Sequence, residues 1–264
     1  MQTSFCSFIV ILCLALAGCD SAFFTNPGAG EIPVSVKRMN TSQCPFEIKL
    51  AGERWQIEYL GFYVSEPEVR VDGRWQRIKF KESPWQTPDI ALLKFHSNCQ
   101  NANATNTSLK LEATKELMKL STAFRFTLGL PFAENHANPL IQPSPLNDSS
   151  MFWSWQDGHK FLRLDLRQKQ NAEHTFSYHL GSVGCVSDSA VRPPEKSCTF
   201  TNRVNVILPM TQLDYDLALE VSLPHLIMQT NLVESDGCKF EAPDSGICGR
   251  LMKNLQSRPW LSWD

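Results

Sequence analysis

No CxxC pair occurs anywhere in the chain, nor a GxSxG, an HExxH, a GxxxxGK[ST] loop or a GxGxxG. Each missing string removes a class: zinc ribbons, nucleophile-elbow hydrolases, zincin proteases, and P-loop or dinucleotide-binding enzymes. Charge of one sign is missing too. Lys and Arg total 25 against 27 Asp and Glu, with no basic cluster to neutralise phosphates and no acidic tail, so nucleic acid is not an expected partner. Long apolar runs are confined to the N-terminus, and the chain of 264 residues has ample length to bury a core.

That N-terminal run, MQTSFCSFIVILCLALAGC, is short and early for a spanning helix, and it ends in Leu16-Ala17-Gly18-Cys19. It reads as a lipoprotein signal (1–19) whose cleavage leaves Cys19 as the acylated first residue. The segment departs from the pattern in having no Lys or Arg before the apolar stretch, and an uncleaved membrane anchor is the other reading. On either reading the folded part is exported and held at a bacterial membrane, facing the periplasm or cell surface. Residues 20–31 read as a flexible tether and 32–264 as a single domain.

Of nine cysteines, setting aside Cys6, Cys13 and Cys19 leaves six: Cys44, Cys99, Cys185, Cys198, Cys238 and Cys248. An even number in an exported chain predicts three disulfides. Cys185 and Cys198 bracket the polar loop VSDSAVRPPEKS, and Cys238 and Cys248 bracket KFEAPDSGI, so both pairs are expected to be local bridges. Cys44–Cys99 then remains by elimination.

Short alternating segments dominate: VSV (34–36), WQIEYL (55–60), VRV (69–71), FRFTL (124–128), FLRLDL (161–166), TFSYHL (175–180) and VNVIL (204–208). Period-two patterns separated by Gly, Pro, Asn and Asp predict an all-β fold, a disulfide-stapled sandwich or open barrel with long loops and little helix. Asp72-Gly73 marks a two-residue hairpin. LEATKELMKLST (111–122) reads as a short helix or a strand edge, and LMKNL (251–255) as a terminal helical turn.

Chemistry-bearing residues gather in GLPFAENHANPLIQPSPLNDSSMFWSWQDGHKF, where a Pro-rich loop presents His136 and leads into an extended segment carrying Trp153 and Trp155. On an extended strand, i and i+2 share a face. Two tryptophans so placed are ordinarily cross-strand packing. In TFSYHL, His179 falls with Thr175 and Ser177 on the polar face, where solvation is the ordinary outcome. Asp214 and Asp216 in LDYDLAL resemble an acid pair or calcium ligands, but no EF-type loop surrounds them and a surface turn is the simpler reading.

The string GLPFAENH…PSPLNDSSMFWSWQDGHKFLRLD, then FSYHLGSVGC, then CTFTNR, resembles the MbnP-like copper proteins, the four-Cys half of the metallo-mystery pair. LGFYVSEPEV, DIALLKF and GCKFEAPDSGIC extend the resemblance over most of the mature chain. It implies an exported β-rich protein that is not itself an enzyme. Its partner is implied to be an MbnH-like di-haem cytochrome c peroxidase family protein that oxidises a tryptophan to kynurenine, which then helps to bind one copper ion, Cu(I) or Cu(II). Carried over, the family's metal site falls on His136 and His179, with Trp153 as the kynurenine and Trp155 as the alternative. The departure is His159, which stands where a tyrosine is usual in a GYKF-like string; His96 is unmatched. Met151 is a soft candidate for a secondary contact, although gap-filling is its simpler role. Kynurenine supplies an aryl amine where tryptophan has only an N–H, so with two imidazoles it forms a nitrogen site suited to copper. The reading from another class is a lipid-anchored sandwich binding an organic ligand or glycan on Trp153, Trp155, Trp75 and Trp85.

Overall fold

In the computed structural model, the structure describes residues 30–41, 45–95, 105–189, 191–210, 218–244 and 246–264. Strand outweighs helix 42% to 12%, which places the fold in the all-β class. The larger sheet has nine strands and is built around one of them, β3 (Glu53–Val71). β3 pairs antiparallel with β2 (Glu47–Leu50), β4 (Arg74–Arg77), β5 (Ile90–Phe95), β7 (Ala123–Leu128) and β10 (Leu162–Gln168). β12 (Val204–Pro209) extends the sheet beyond β7, while β11 (Thr175–Leu180) and then β14 (Gly237–Lys239) extend it beyond β10. A four-stranded sheet comprises β1 (Glu31–Val36), β6 (Ser108–Lys110), β13 (Leu219–Val221) and β15 (Leu261–Trp263).

Both sheets share one apolar core. Phe62 of β3 meets Trp260, which leads into β15, edge to face at 5.7 Å, and both rings are buried. The alternation behind this is plain in β10, LRLDLRQ, whose leucines are all buried while the intervening Arg163, Asp165 and Arg167 are less so.

WQIEYL and VRV, separate in the sequence reading, belong to a single strand. Ser65-Glu66-Pro67 between them looks like a break but is a bulge: the register against β7 shifts between Ser65 and Glu68, and Glu66 sits at φ 57°. A bulge tolerates the proline because the extra residue owes no ladder hydrogen bond there. Asp72-Gly73 forms the expected hairpin, with φ of 49° and 76°, both in the left-handed region.

Residues 111–122 contain the helix reading rather than the strand one: α1 (Lys115–Leu120), capped by the Thr114 hydroxyl accepting from the Leu117 N–H. LMKNL lies inside α4 (Gly246–Ser257), a full amphipathic helix rather than a single turn. Two more short helices, α2 (Phe132–His136) and α3 (Leu223–Leu226), complete the helical content of the described residues. Among these residues no helix is long and apolar enough to cross a membrane.

Cys185–Cys198 and Cys238–Cys248 are both disulfides, as their loops predict. The signal, Cys19, most of the tether, the Cys44–Cys99 pairing, His96, Asp214 and Asp216 lie outside the described residues.

Candidate functional site

The antiparallel register of β10 and β11 sets Arg163 opposite His179 and Asp165 opposite Ser177, so four polar side chains share one face. Asp165 is the hub. Its Oδ1 accepts from Ser177 Oγ at 2.8 Å and from His179 Nε2 at 2.7 Å, and its Oδ2 pairs with Arg163 Nε at 2.6 Å. Burial pushes the Asp165 carboxyl up, but the hydrogen bond from His179, joined by the Arg163 guanidinium, outweighs it and holds the group well below the usual carboxylate range.

This face is polar but not solvated. His179 is only 8% exposed, and its Nδ1 is buried without a hydrogen-bond partner. A pattern of alternation identifies a face without revealing what covers it, and here the cover is a short hairpin of β8 (Phe152–Ser154) and β9 (Gly158–His159). The Trp153 ring from this hairpin contacts His179 at 5.9 Å and stacks on Phe240 at 4.9 Å, 7° from parallel. Trp153 keeps 44% of its surface exposed. Lys160 Nζ lies 5.1 Å above the same ring, donates to the carbonyls of Ser150 and Phe152, and is pushed down to about 8 by burial, with Arg163 adding to it.

Trp155 parts company with Trp153. β8 ends at Ser154, so Trp155 falls in the turn, outside the strand alternation that would align the two, and packs instead on Phe152 at 5.8 Å. Met151 is fully buried in the core, in the gap-filling role.

His136 ends α2 among different neighbours. Its ring packs on Phe132 at 4.7 Å, and its Nε2 lies 3.0 Å from Asn135 Nδ2 and 3.5 Å from Cys198 Sγ. Asn135 Oδ1 accepts from the His159 N–H, which orients the amide so that Nδ2 donates. His136 Nε2 therefore carries the lone pair, and the proton sits on Nδ1, which is buried without a partner. Burial, with His159 adding to it, pushes the His136 pKa down to about 4. Among the described residues, His136 makes no ring contact or hydrogen bond with His179 or Trp153: the contacts join Trp153 to His179, and His136 to Phe132, Asn135 and Cys198.

His159 is fully buried, with Nδ1 and Nε2 each 2.9 Å from a backbone carbonyl, Asn135 and Leu146. Burial favours the neutral ring, which donates to one of the two carbonyls and sets its other nitrogen against the second, so the ring braces the Pro-rich loop with both nitrogens turned into it. Asn135 and Asp165, which the sequence reading did not single out as site residues, organise the two halves. The signal for Asp165 lay in the matching polar alternation of FLRLDL and TFSYHL. Asn135 fixes Gly158: a Cβ there would come within 2.5 Å of Asn135, and φ is +80°.

The four tryptophans of the organic-ligand reading do not share surroundings. Trp153 lies on Phe240, Trp155 on Phe152, Trp75 under the Arg125 guanidinium at 4.1 Å, and Trp85 against the core beside Lys94.

A model of one protein family, MbnP, matches residues 31–240. The chain belongs to the MbnP family. Its fold is similar to the solved structure of MbnP from Methylosinus trichosporium, with a TM-score of 0.64 at 18% identity, over 84% of this chain and 86% of that one. No curated protein sequence matches the chain. Membership of the MbnP family accords with the order of motifs from GLPFAENH to GCKFEAPDSGIC, and places both the Trp153 hairpin and the His136 loop within the matched span.

Proposed function

We propose that this MbnP-family protein is an exported, lipid-anchored copper-binding protein, and that Trp153 is oxidised to kynurenine by a di-haem peroxidase-like partner to complete its metal site. The protein is the substrate of that oxidation, not its catalyst. The observation that carries the reading is the contact of a half-exposed Trp153 with His179, whose Nδ1 is buried and unpartnered. A histidine ligates a metal as a neutral imidazole, and with Asp165 accepting at Nε2 the remaining proton stays there and Nδ1 is the nitrogen left to the metal, the arrangement by which a carboxylate orients a metal-ligating histidine.

The donor set fits copper. His179 Nδ1 and the aryl amine of a kynurenine at position 153 would hold the ion, and nitrogen ligands suit copper in either oxidation state. Oxidation adds two oxygen atoms, supplied by peroxide, across the indole C2–C3 bond, and hydrolysis then releases C2 as formate, leaving amine and ketone. Exposure of Trp153 suits a ring that must lose electrons to a docked partner, whereas Trp155 is held in the turn against Phe152. Two disulfides support an oxidising compartment.

The test is a pair of variants, Trp153→Phe and Trp155→Phe, each incubated with the di-haem partner and peroxide and mapped by peptide mass spectrometry. The Trp155→Phe protein is expected to gain the few daltons of kynurenine at position 153, and the Trp153→Phe protein to gain nothing. The opposite pattern moves the modification to Trp155.

A further inference from the structure

The one His/Cys cluster among the described residues that has metal-ligand spacing is not at Trp153. It is His136, Cys185 and Cys198, whose donor atoms all lie within 4.8 Å of one another. In the oxidised protein the two sulfurs are bonded to each other and are poor ligands, because a metal takes thiolates. We propose that reduction of Cys185–Cys198 opens a second metal site, built from the two thiolates and His136 Nε2, for a soft, thiophilic d10 ion of the Cu(I) or Zn(II) class. The site is independent of kynurenine formation at position 153.

Three features support it. The Cα atoms of Cys185 and Cys198 are 4.0 Å apart, so two freed sulfurs stay within reach of one ion through metal–sulfur bonds of about 2.3 Å. His136 Nε2 stands 3.5 Å from Cys198 Sγ, which is about the separation of nitrogen and sulfur ligands on a shared ion with bonds of about 2.0 and 2.3 Å. That nitrogen already carries the lone pair. Asn135 Nδ2, which now donates to it, has two hydrogens and three acceptors, and keeps Asp157 O and Ser182 Oγ if it releases the ring. The other described disulfide has no such neighbour: Cys248 Sγ faces the Glu241 carboxylate at 3.6 Å.

A dithiol reductant accounts for the electrons. It transfers two electrons and two protons to the S–S bond, giving two thiols, and closes to its own disulfide; binding of the ion then expels both thiol protons to solvent. The sulfurs themselves are buried, but Gly184, Val186, Ser197 and Thr199 beside them are exposed, so the bridge lies just beneath the surface.

The full-length protein, reduced anaerobically with a water-soluble phosphine and freed of it, is titrated with Cd(II) as the probe and read by thiolate-to-cadmium charge-transfer absorption. One equivalent is expected to bind the reduced protein with this signal, and none the oxidised protein. The signal is expected to survive in the Trp153→Phe protein and in the Cys238→Ser/Cys248→Ser protein, and to vanish in Cys185→Ser. His136→Ala is expected to weaken binding at least tenfold, about 1.4 kcal/mol. Because serine variants can fail to fold, the reduced parent protein is also alkylated with and without Cd(II) and mapped. Protection of Cys185 and Cys198 is expected; equal labelling with and without the ion, or a signal that persists in Cys185→Ser, overturns the site.

Discussion

His136 and His179 are both buried, and both have an Nδ1 with no partner, yet their Nε2 atoms face opposite kinds of group. An amide donor on Nε2 of His136 leaves the lone pair there and the proton on Nδ1, while a carboxylate acceptor on Nε2 of His179 does the reverse. One imidazole faces a disulfide and the other an oxidisable indole. Residue type does not decide which nitrogen meets a metal; the group hydrogen-bonded to the other nitrogen decides it.

The largest expected effect comes from removing the group that separates the two. Asp165→Ala leaves Arg163, Ser177 and His179 without their acceptor in a mostly buried setting, and a loss of about 3 kcal/mol in stability is expected from chemical denaturation midpoints. A loss under about 1 kcal/mol would mean that the two histidines differ for some other reason.

Close behind is the direct contrast. In kynurenine-bearing, disulfide-intact protein, His179→Ala is expected to weaken copper binding about a hundredfold, or about 2.8 kcal/mol, and His136→Ala less than about threefold, measured by competition with a chromophoric chelator. Equal losses would show that His136 leaves Asn135 and joins His179 on one ion, as the family resemblance implies.

Gly181→Ala tests the cover over His179 without touching either histidine. A Cβ there would stand 2.2 Å from the Phe240 ring, so the ring must move off the strand and take the Trp153 stack with it. Overpacking of this kind is expected to cost about 2 kcal/mol. The accompanying readout is Trp153 fluorescence, which is expected to change in Gly181→Ala and to stay unchanged in a Gly249→Ala control, where the nearest atom to a Cβ lies at 3.4 Å.

The smallest effect is in pH. The folded pKa of His136 is about 4 against an ordinary 6.5, so the unfolded chain binds more protons between those values. The neutral ring's contribution is fully present above pH 6.5 and is lost as pH falls towards 4. His136→Gln is expected to flatten that part of the stability curve, read by thermal unfolding across pH 4 to 7. An unchanged slope would assign it to His159, whose pKa burial also lowers.

Much of this was legible in the alternation of FLRLDL and TFSYHL, which fixed two neighbouring strands and their polar face, and in loop composition, which paired four cysteines. The Trp153–Trp155 geometry was not, because β8 stops one residue before Trp155 and periodicity cannot foresee where a strand ends. Nor was the role of His159: both of its partners are backbone carbonyls, which leave no trace in sequence. The continuity of β3 was hidden by Glu66-Pro67, since a bulge and a turn draw on the same residues.

That strand also governs the order of assembly. β3 spans 19 residues, about 63 Å of extended chain, and takes its partners from segments running from Glu47 to Gln168. A chain synthesised from its N-terminus presents β3 long before β7 and β10 arrive to flank it. Its edges stay open until the middle of the polypeptide has emerged. Such long-range pairing places the protein among slow folders, and makes the interval between emergence of Val71 and closure by β10 the period when it is most exposed to strand-to-strand aggregation.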